Sequence, residues 1–448
     1  MPRQTCRAPA MTRSDSGDYD VLVVGGGPAG STVAALLAGR GERVLLVEKD
    51  RHPRFHIGES LLPMNVPLLD ELGVKDEIER ISMPKFGIEF VSPDHATTTT
   101  LDFAQSWDQR YVYSYQVRRS EFDHVLLKNA AAKGATIVEG CRISGIAFLP
   151  DGGVTATGRD DAGSTAAFTA KFLVDASGRD TLLANQLAIK QRNPRHNSAA
   201  VFAHFTGAQL LAGRAEGHIS IFWFAHGWFW FIPLADGTTS IGAVCSPEFI
   251  KARGTDVTSF LLGLIALCPS LSQRLRDATI CGPASATGNY SYLAEHMTGR
   301  RSGRNYILLG DAYAFIDPVF STGVYLAMKG GFLGADVVTA CLHETPARAN
   351  RAMRRFEATV AGSLSRFSWY IYRMNRPAMR QLFMAPRNYF RMREALLGLL
   401  SGDVFARSPI RSRLFLFKAV YFVHCLFLQD WAAFGSGVQN PHKKSKEI

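Results

Sequence analysis

This chain of 448 residues lacks the patterns that mark several classes of protein. Its seven cysteines are scattered without a C-x-x-C pair, which argues against a disulfide framework and against a zinc site. The first 17 residues carry three arginines but no apolar segment, which argues against a secretory signal. We therefore expect reduced thiols, no metal, a cytoplasmic location and a disordered extension over residues 1–17.

A long apolar run is also lacking. Leu414 to Phe434 is mostly apolar, but Lys418 and Asp430 interrupt it, so it falls short of a membrane-spanning helix. We interpret this stretch as a buried lid helix and expect no membrane association.

Positive charge is abundant and unevenly placed. The chain carries 50 basic and 39 acidic residues, and residues 371–448 alone hold thirteen basic and four acidic ones, a net charge of +9. Such an asymmetry indicates either an acidic partner surface or a solvated helical face with a lysine-rich tail. We expect no nucleic-acid partner.

The chain is organised around residues 21–50. An apolar run typical of a buried parallel strand leads into Gly25, Gly27 and Gly30, spaced as G-x-G-x-x-G, and an Ala/Leu-rich helix follows. A second apolar strand ends at Glu48, 18 residues after Gly30, where an acid can accept hydrogen bonds from an adenosine ribose. This order predicts a Rossmann-like dinucleotide-binding unit.

The rest of the chain divides into three kinds of pattern. A helix after Val117 and apolar strands at 172–175 and 306–310 continue the parallel α/β pattern, whereas Thr97 to Thr100 is expected to form a hairpin loop. From Ser198 to Val244 aromatic strands alternate without helices, which predicts an antiparallel sheet with one packed face and one face lining a cavity. Helical periodicity then runs from Ala347 onward, with breaks at prolines.

Three separated fragments fit one ligand: the unit from Gly25 to Glu48, Arg119 (in V-x-R-x-x-F-D) with Asp175-Ala-Ser-Gly178, and Gly310-Asp311. Together they resemble the FAD-binding fold of the aromatic-hydroxylase and glutathione-reductase-like superfamily over about residues 18–345. The resemblance implies FAD, and the cofactor-binding residues it implies are Gly25, Gly27, Pro28, Ala29, Gly30, Glu48, Lys49, Arg119, Asp175, Gly178, Gly310, Asp311 and Pro318. A second dinucleotide fingerprint is not visible, so we expect a partner flavin reductase to supply FADH2.

The implied architecture is an α/β fold with three parts. A discontinuous FAD-binding, Rossmann-like domain takes residues 18–85, 113–195 and 295–345. An inserted antiparallel β substrate domain takes residues 86–112 and 196–294, and residues 346–448 form a helical C-terminal region.

Within that superfamily, a tryptophan-rich strand resembles the W-x-W-x-I-P motif of flavin-dependent halogenases. Gly227-Trp228-Phe-Trp230-Phe-Ile232-Pro233 places Trp228, Trp230 and Ile232 on one face by alternation. The resemblance implies a dry tunnel wall beside the flavin. A well-packed core strand with no chemical role would show the same alternation.

Lys85, in the sequence K-F-G, resembles the halogenase lysine. Most lysines are solvated surface charges, but Met83, Pro84, Phe86 and Ile88 surround this one in sequence. Buried near the flavin, its ammonium could hydrogen-bond hypohalous acid, and with a depressed pKa it could instead form a haloamine.

A third resemblance lies in Phe315-Ile-Asp317-Pro318-Val-Phe320-Ser321-Thr322-Gly323. In the family, backbone N–H groups at the Thr-Gly pair bind the halide, here Thr322 and Gly323, and chloride or bromide is the implied co-substrate. A plain helix cap is compatible with the same residues. Tyr290-Ser-Tyr292 also resembles the family, with lower specificity.

Phe320 departs from the tryptophan-specific halogenases, which carry a glutamate just before Ser-Thr-Gly. The departure favours the branch that acts on phenols or pyrroles in specialised-metabolite (antibiotic-type) biosynthesis, and Leu400-Ser-Gly-Asp403-Val-Phe405 also resembles that branch. Several of its members act on substrates held by an acyl or peptidyl carrier protein. Two groups of arginines in the tail would suit such an acidic carrier, and they are Arg387, Arg391 and Arg393 in one expected helical stretch, followed by Arg407, Arg411 and Arg413.

The sequence leaves two other functions open. One is an FAD-dependent monooxygenase or reductase of a polyketide or prenyl-type substrate, in which Lys85 and both tryptophans only pack the core. The other is a non-catalytic flavoprotein that serves as a binding module. Product mass separates them, because halogenation adds halogen, hydroxylation adds one oxygen and reduction adds two hydrogens.

Overall fold

The computed structural model describes residues 19–288, 291–405 and 410–428. Its strands up to residue 175 are β1 (Tyr19–Val24), β2 (Val44–Glu48), β3 (Ser82–Lys85), β4 (Gly87–Val91), β5 (Thr98–Asp102), β6 (Ser114–Val117), β7 (Thr136–Glu139), β8 (Cys141–Phe148), β9 (Val154–Asp160) and β10 (Thr165–Asp175). The later strands are β11 (Lys190–Arg192), β12 (Ala199–Thr206), β13 (Ile219–Phe224), β14 (Gly227–Pro233), β15 (Thr238–Cys245), β16 (Thr279–Ile280), β17 (Ser285–Thr287), β18 (Tyr292–Ala294), β19 (Tyr306–Leu308) and β20 (Ala314–Phe315).

The α-helices of the described residues alternate with these strands and then continue alone. They are α1 (Pro28–Gly39), α2 (Val66–Leu72), α3 (Lys75–Arg80), α4 (Arg119–Ala132), α5 (Leu182–Gln186), α6 (Pro247–Lys251), α7 (Val257–Ala266), α8 (Pro269–Arg274), α9 (Thr322–His343), α10 (Pro346–Ile371), α11 (Pro377–Met384), α12 (Met392–Ser401) and α13 (Ile410–Phe427).

The first large sheet carries the dinucleotide unit. Its order is β7-β2-β1-β10-β9-β8, with β19 also paired to β10, and the pairs β7–β2, β2–β1, β1–β10 and β10–β19 are parallel. The strand β10 serves two purposes, because residues 165–170 pair antiparallel with β9 and residues 170–175 run parallel to β1. The expected α/β fold with a Rossmann-like sheet is confirmed.

The second large sheet holds the aromatic strands in the order β16-β12-β15-β14-β13-β4-β5, with β17 on β12. All its pairs are antiparallel except β4–β13, which is parallel. The prediction of a hairpin loop at Thr97 to Thr100 is wrong, because Thr98–Asp102 forms the edge strand β5 and pairs with β4. Threonine is β-branched and suits an edge strand with exposed side chains.

The second sheet buries its two faces against different partners. Phe222, Phe229 and Ile241 belong to a separate apolar cluster that includes Leu261 and Leu264 of α7. Trp223, Trp228 and Trp230 belong instead to the main core, which extends through the first sheet and α9. The tryptophan face therefore points at the dinucleotide unit.

The helix α9 lies in the core beside α1. Its Gly331 lets it approach closely, because a Cβ atom there would stand 2.9 Å from Thr32 Cγ2. By length and composition α9 could cross a membrane, yet 67% of its apolar window is buried within the fold.

The C-terminal helices differ from two expectations. Arg387, Arg391 and Arg393 do not share a helical stretch, because α11 ends at Met384 and α12 begins at Met392. Phe390 and Arg391 between these helices take left-handed backbone angles, with φ of 52° and 63°. The segment expected to be a buried lid is α13 in its described part, and it buries one face while Phe415 on the opposite face is 75% exposed.

Candidate active site

A cavity of about 990 Å³ lies between the two large sheets. It is lined by the turn after β1, the first turn of α1, the residues after β2, the turn after β10 and the tryptophan face of the second sheet. Such a volume is within the range of protein sites for large organic ligands.

The glycine turn at one end of the cavity is shaped by two close contacts. Gly25 has a φ of +105°, and a Cβ atom there would stand 2.3 Å from the carbonyl oxygen of Ala176. A Cβ atom on Gly30 would stand 1.9 Å from the carbonyl oxygen of Gly25. The helix α1 begins with Pro28 and has no side-chain cap, and Gly27, Pro28 and Ala29 line the cavity, so the N-terminus of this helix lies at the cavity end.

Acidic and basic side chains line the same end. The Glu48 carboxylate accepts hydrogen bonds from the amides of Gly26 (2.6 Å) and Asp50 (2.9 Å) while it lines the cavity. Lys49 also lines the cavity and pairs with Asp180 at 2.6 Å.

Arg119 lies on the cavity wall at the start of α4 and is almost fully buried. Two of its nitrogens donate to Asp123 at 2.8 and 3.0 Å, and Arg54 donates to the same carboxylate at 3.1 Å. Asp311 lines the cavity too, and burial raises its pKa to about 6. The partly exposed Asp311 carboxyl, with the charges of Arg119 and Arg179 acting on it, fits a site that receives ribityl hydroxyls and a diphosphate.

These features fit FAD. A glycine cradle that a Cβ atom would fill, uncapped amides at a helix N-terminus and cations beside them suit the ADP half and its phosphates. The tryptophan face at the other end offers an apolar wall to a flat ring system.

Some predicted cofactor residues do not reach the cavity. The Asp175 carboxylate accepts from the amides of Ser177 (2.9 Å) and Leu183 (2.8 Å), burial raises its pKa, and it holds the turn after β10. Gly30 does not line the large cavity either, and Gly310 lines the small neighbouring cavity instead. The remaining predicted cofactor residues line it, namely Gly25, Gly27, Pro28, Ala29, Glu48, Lys49, Arg119, Gly178, Asp311 and Pro318.

The strand β14 brings Trp228, Trp230 and Ile232 to the cavity wall. The two indole rings are 6.2 Å apart between centroids, and Nε1 of Trp230 donates to Ser240 Oγ at 3.1 Å. Gly242 on β15 makes room for this ring, since a Cβ atom there would stand 2.2 Å from it. Pro233 ends the strand outside the wall.

Lys85 is fully buried at the end of β3. Its Nζ donates to Ser60 Oγ and to the carbonyl oxygen of Leu61, both at 2.9 Å, and lies 5.5 Å from the centre of the Phe103 ring. Burial lowers the pKa of this amine to about 7. An amine that is part neutral near pH 7 can act as a nucleophile or as a proton acceptor.

The predicted halide loop lies at the N-terminus of α9. Pro318, Ser321 and Gly323 line the large cavity, and Thr322 lines a small neighbouring cavity of about 20 Å³. Ser321 takes a left-handed φ of 55°, and α9 has no side-chain cap. Uncapped amides at a helix start are suited to an anion.

Two residues of the cavity wall, Glu59 and Ser60, are not among the site residues predicted from the sequence. Ser60 accepts from Lys85, and the buried Glu59 lines the cavity and bonds to His204 Nε2 at 2.9 Å. Tyr292 was singled out with low specificity, and it lines the cavity with its hydroxyl donating to the carbonyl oxygen of Asp311. Its companion Tyr290 lies outside the described residues.

Comparison with known proteins identifies relatives along most of the chain. The family model described as tryptophan halogenase matches residues 20–109 and 92–377. The 1H-pyrrole-2-carbonyl-[peptidyl-carrier protein] chlorinase of Pseudomonas fluorescens is 28% identical over 87% of this chain and 90% of its own length. The tryptophan 2-halogenase of Chondromyces crocatus is 36% identical over 72% of this chain, and the match spans only 61% of that relative.

A solved structure extends the likeness to the fold. The myxobacterial chondrochloren halogenase CndH, described as a variant of the FAD-dependent halogenases, superposes with a TM-score of 0.74 and 31% identity. The match covers 91% of this chain and 96% of that one. With the family model, the glycine cradle and the tryptophan wall in agreement, the chain belongs to the flavin-dependent halogenases, enzymes that use FAD.

Proposed function

We propose that this chain chlorinates or brominates an electron-rich phenolic or pyrrolic ring in specialised-metabolite biosynthesis, using FADH2, O2 and chloride or bromide. One observation carries the proposal: the fully buried Lys85 amine donates to Ser60, a residue of the cavity wall, and to the Leu61 carbonyl oxygen, and no carboxylate of the described residues pairs with it. Lysines are seldom fully buried without a carboxylate partner.

Different residues of the chain bind the halide, exclude water and present the halogen to the ring. Bound FADH2 with O2 supplies the oxidation of halide to hypohalous acid. Backbone amides at Thr322 and Gly323 hold the halide, while Trp228, Trp230 and Ile232 exclude water and keep a bulky ring away from the flavin.

Lys85 then presents the electrophilic halogen to the ring, either by a hydrogen bond from its ammonium or as a haloamine. Substitution releases one proton from the ring carbon. In the ammonium route the hydroxide that leaves the hypohalous acid takes this proton and forms water, and in the haloamine route the Lys85 nitrogen takes it as the nitrogen–halogen bond breaks.

The ring class rests on Phe320. A phenylalanine at this position offers no carboxylate to assist a less reactive ring, and phenols and pyrroles need less assistance because their rings are already electron-rich. Free tryptophan is the competing substrate, since a tryptophan 2-halogenase is among the relatives.

The decisive experiment is product mass after incubation of the purified enzyme with FADH2, O2, bromide and a panel of phenols, pyrroles and tryptophan. Bromine's isotope pattern on a phenol or pyrrole supports the proposal. Addition of one oxygen or of two hydrogens supports the rival monooxygenase or reductase, and bromotryptophan as the best product overturns the ring class. FADH2 supplied by a separate flavin reductase should support turnover that NADH alone does not.

A carrier protein is the proposed source of a tethered substrate, because one relative acts on a pyrrole held by a peptidyl carrier protein. Arg387 is exposed, and Arg391 donates to Glu394 at 2.9 Å while its guanidinium stands 3.8 Å from the Trp107 ring. Arg407 lies outside the described residues. The exposed Arg387 and Arg411 would attract an acidic carrier.

Charge reversal of Arg387 and Arg411 should slow turnover of a carrier-bound ring and leave a free phenol unaffected. Surface charges change association rate and its salt dependence more than affinity, so we expect a roughly ten-fold loss at low salt that shrinks at high salt. Arg355→Glu, at an exposed position on α10, is the control. Equal loss with both substrates would contradict carrier docking.

A further inference from the structure

Two buried nitrogen donors near the strand of Trp228 have no hydrogen-bond acceptor among the residues that the structure describes. They are Nε1 of Trp223, on a fully buried side chain, and Nε of Arg380. The Arg380 guanidinium stands 5.9 Å from the centre of the Trp223 ring. Burial lowers the pKa of Arg380, and no carboxylate of the described residues opposes that effect.

This pair lies beside the wall of the large cavity, although neither Trp223 nor Arg380 lines the cavity itself. Trp223 on β13 stands directly opposite Trp228 on β14, and Trp228 lines the cavity wall. Residues opposite each other on neighbouring strands project from the same face of a sheet, so Trp223 stands next to Trp228 on the face that carries the cavity wall. Trp223 is fully buried there, and α11, which carries Arg380, packs against it.

Aromatic rings connect the pair to the halide loop. Phe90 stacks on Trp223 with centroids 5.4 Å apart, and Phe383, one turn after Arg380, contacts Phe90 at 5.3 Å. Phe383 also stacks on Phe320, which precedes the loop residues Ser321 and Thr322, at 6.2 Å. A flat ring entering between these side chains would meet aromatic faces and two nitrogen donors.

A buried Nε–H of Arg380 and a buried indole N–H, each without an acceptor in the described part of the chain, are costly together. A buried donor without an acceptor loses its hydration without compensation, and a charged one loses more. An oxyanion placed between them would satisfy both, since arginine binds carboxylate-type oxygens and stacks on aromatic faces.

We propose that Arg380 and Trp223 form a subsite for an oxyanion carried by the aromatic substrate, either its phenolate oxygen or a carboxylate on the ring. The inference rests on the proposed halogenation of an aromatic ring and names a chemical requirement of its substrate. Phe90 and Phe383 flank the ring, and α11 shifts to admit it.

The test is calorimetric binding to the enzyme loaded with oxidised FAD, so that no turnover is needed. Three ligands distinguish a phenolate from a carboxylate as the bound oxyanion. Binding is measured at a pH at which the phenolic hydroxyl is ionised. Methyl 4-hydroxybenzoate offers only a phenolate, 4-methoxybenzoate offers only a carboxylate, and methyl 4-methoxybenzoate offers neither.

Arg380→Gln should weaken binding of the phenolate or of the carboxylate by about 10- to 100-fold and change binding of the neutral ester by less than about 2-fold. Trp223→Phe removes the N–H together with part of the indole ring, so it should weaken the same ligand by about 2- to 10-fold more than it weakens the neutral ester, which reports the lost ring contact alone. Arg355→Gln on α10 is the matched control, and Arg380→Lys keeps a charge should the glutamine variant fail to fold.

Wild-type enzyme that binds all three ligands alike, or variants that weaken all three equally, would overturn the subsite. Absence of any halogenated product from the wild type would instead overturn the proposed function, and the binding difference would remain measurable. The two failures are therefore distinguishable.

Discussion

Replacing Lys85 with methionine should separate the chemistry of this residue from its cost to the fold. Burial lowers the pKa of the Lys85 amine from 10.5 to about 7, so between these two values the unfolded chain binds more protons than the folded protein. The wild type therefore holds its full stability only above the unfolded pKa. It loses that stability as pH falls towards about 7.

The size of the effect follows from the same two values. One pKa unit corresponds to about 1.4 kcal/mol, so the fall from 10.5 to about 7 lowers the free energy of unfolding by about 5 kcal/mol at pH 7. Methionine removes this penalty but leaves Ser60 Oγ and the Leu61 carbonyl without their donor, at about 1–3 kcal/mol each. Because these terms nearly offset each other at pH 7, the slope with pH is the informative quantity.

We expect the free energy of unfolding of Lys85→Met, minus that of the wild type, to fall by about 1.4 kcal/mol per pH unit between pH 7 and 10. Denaturant unfolding of the FAD-loaded proteins at several pH values measures it, and Lys128→Met, at an exposed position on α4, should show no such slope. The Lys85 variant should also retain FAD and form no halogenated product. A difference that stays constant across this pH range would refute the desolvated amine, and undiminished product would remove Lys85 from the chemistry.

Two further substitutions test the cofactor end of the cavity. Gly30→Ala should abolish FAD retention, measured by flavin absorbance after gel filtration, because its Cβ atom would stand 1.9 Å from the Gly25 carbonyl oxygen; Gly39→Ala, whose Cβ atom meets nothing within 4 Å, should bind FAD normally. Asp123→Asn should lower the free energy of unfolding by about 3–5 kcal/mol, because the buried Arg119 and the partly buried Arg54 lose their shared charged partner. Asp108→Asn breaks a largely exposed arginine pair and should cost at most about 1 kcal/mol.

The dinucleotide unit could be predicted from sequence because every signal in it is local. The buried strand, the spacing of Gly25, Gly27 and Gly30 and the helix that follows lie within a few residues of one another, and each has its own steric reason. The tryptophan strand was equally readable, because alternation places Trp228, Trp230 and Ile232 on one face whatever the partner strands are.

The pairing of β4 with β13 could not be predicted in the same way. These strands are more than one hundred residues apart, and their pairing is parallel within a sheet that is otherwise antiparallel. The neighbouring β5 begins with three threonines at an exposed edge, so neither hydrophobic alternation nor a turn signal distinguishes it from a loop. The prediction that Arg387, Arg391 and Arg393 share a helical stretch was wrong for a related reason. The residue types there do not predict the left-handed backbone at Phe390 and Arg391.

Hydrogen-bond partners that are distant in sequence, or absent, cannot be predicted from a local motif. Apolar neighbours in sequence indicated that Lys85 is buried, but its two acceptors lie 24 and 25 residues away. The unpaired state of Arg380 depends on every element packed around α11, so no short motif can encode it. The role of Gly30 comes from its own lack of a side chain, so it can be predicted from sequence. The role of a donor without an acceptor depends on the residues around it, so it can be identified only from the complete fold.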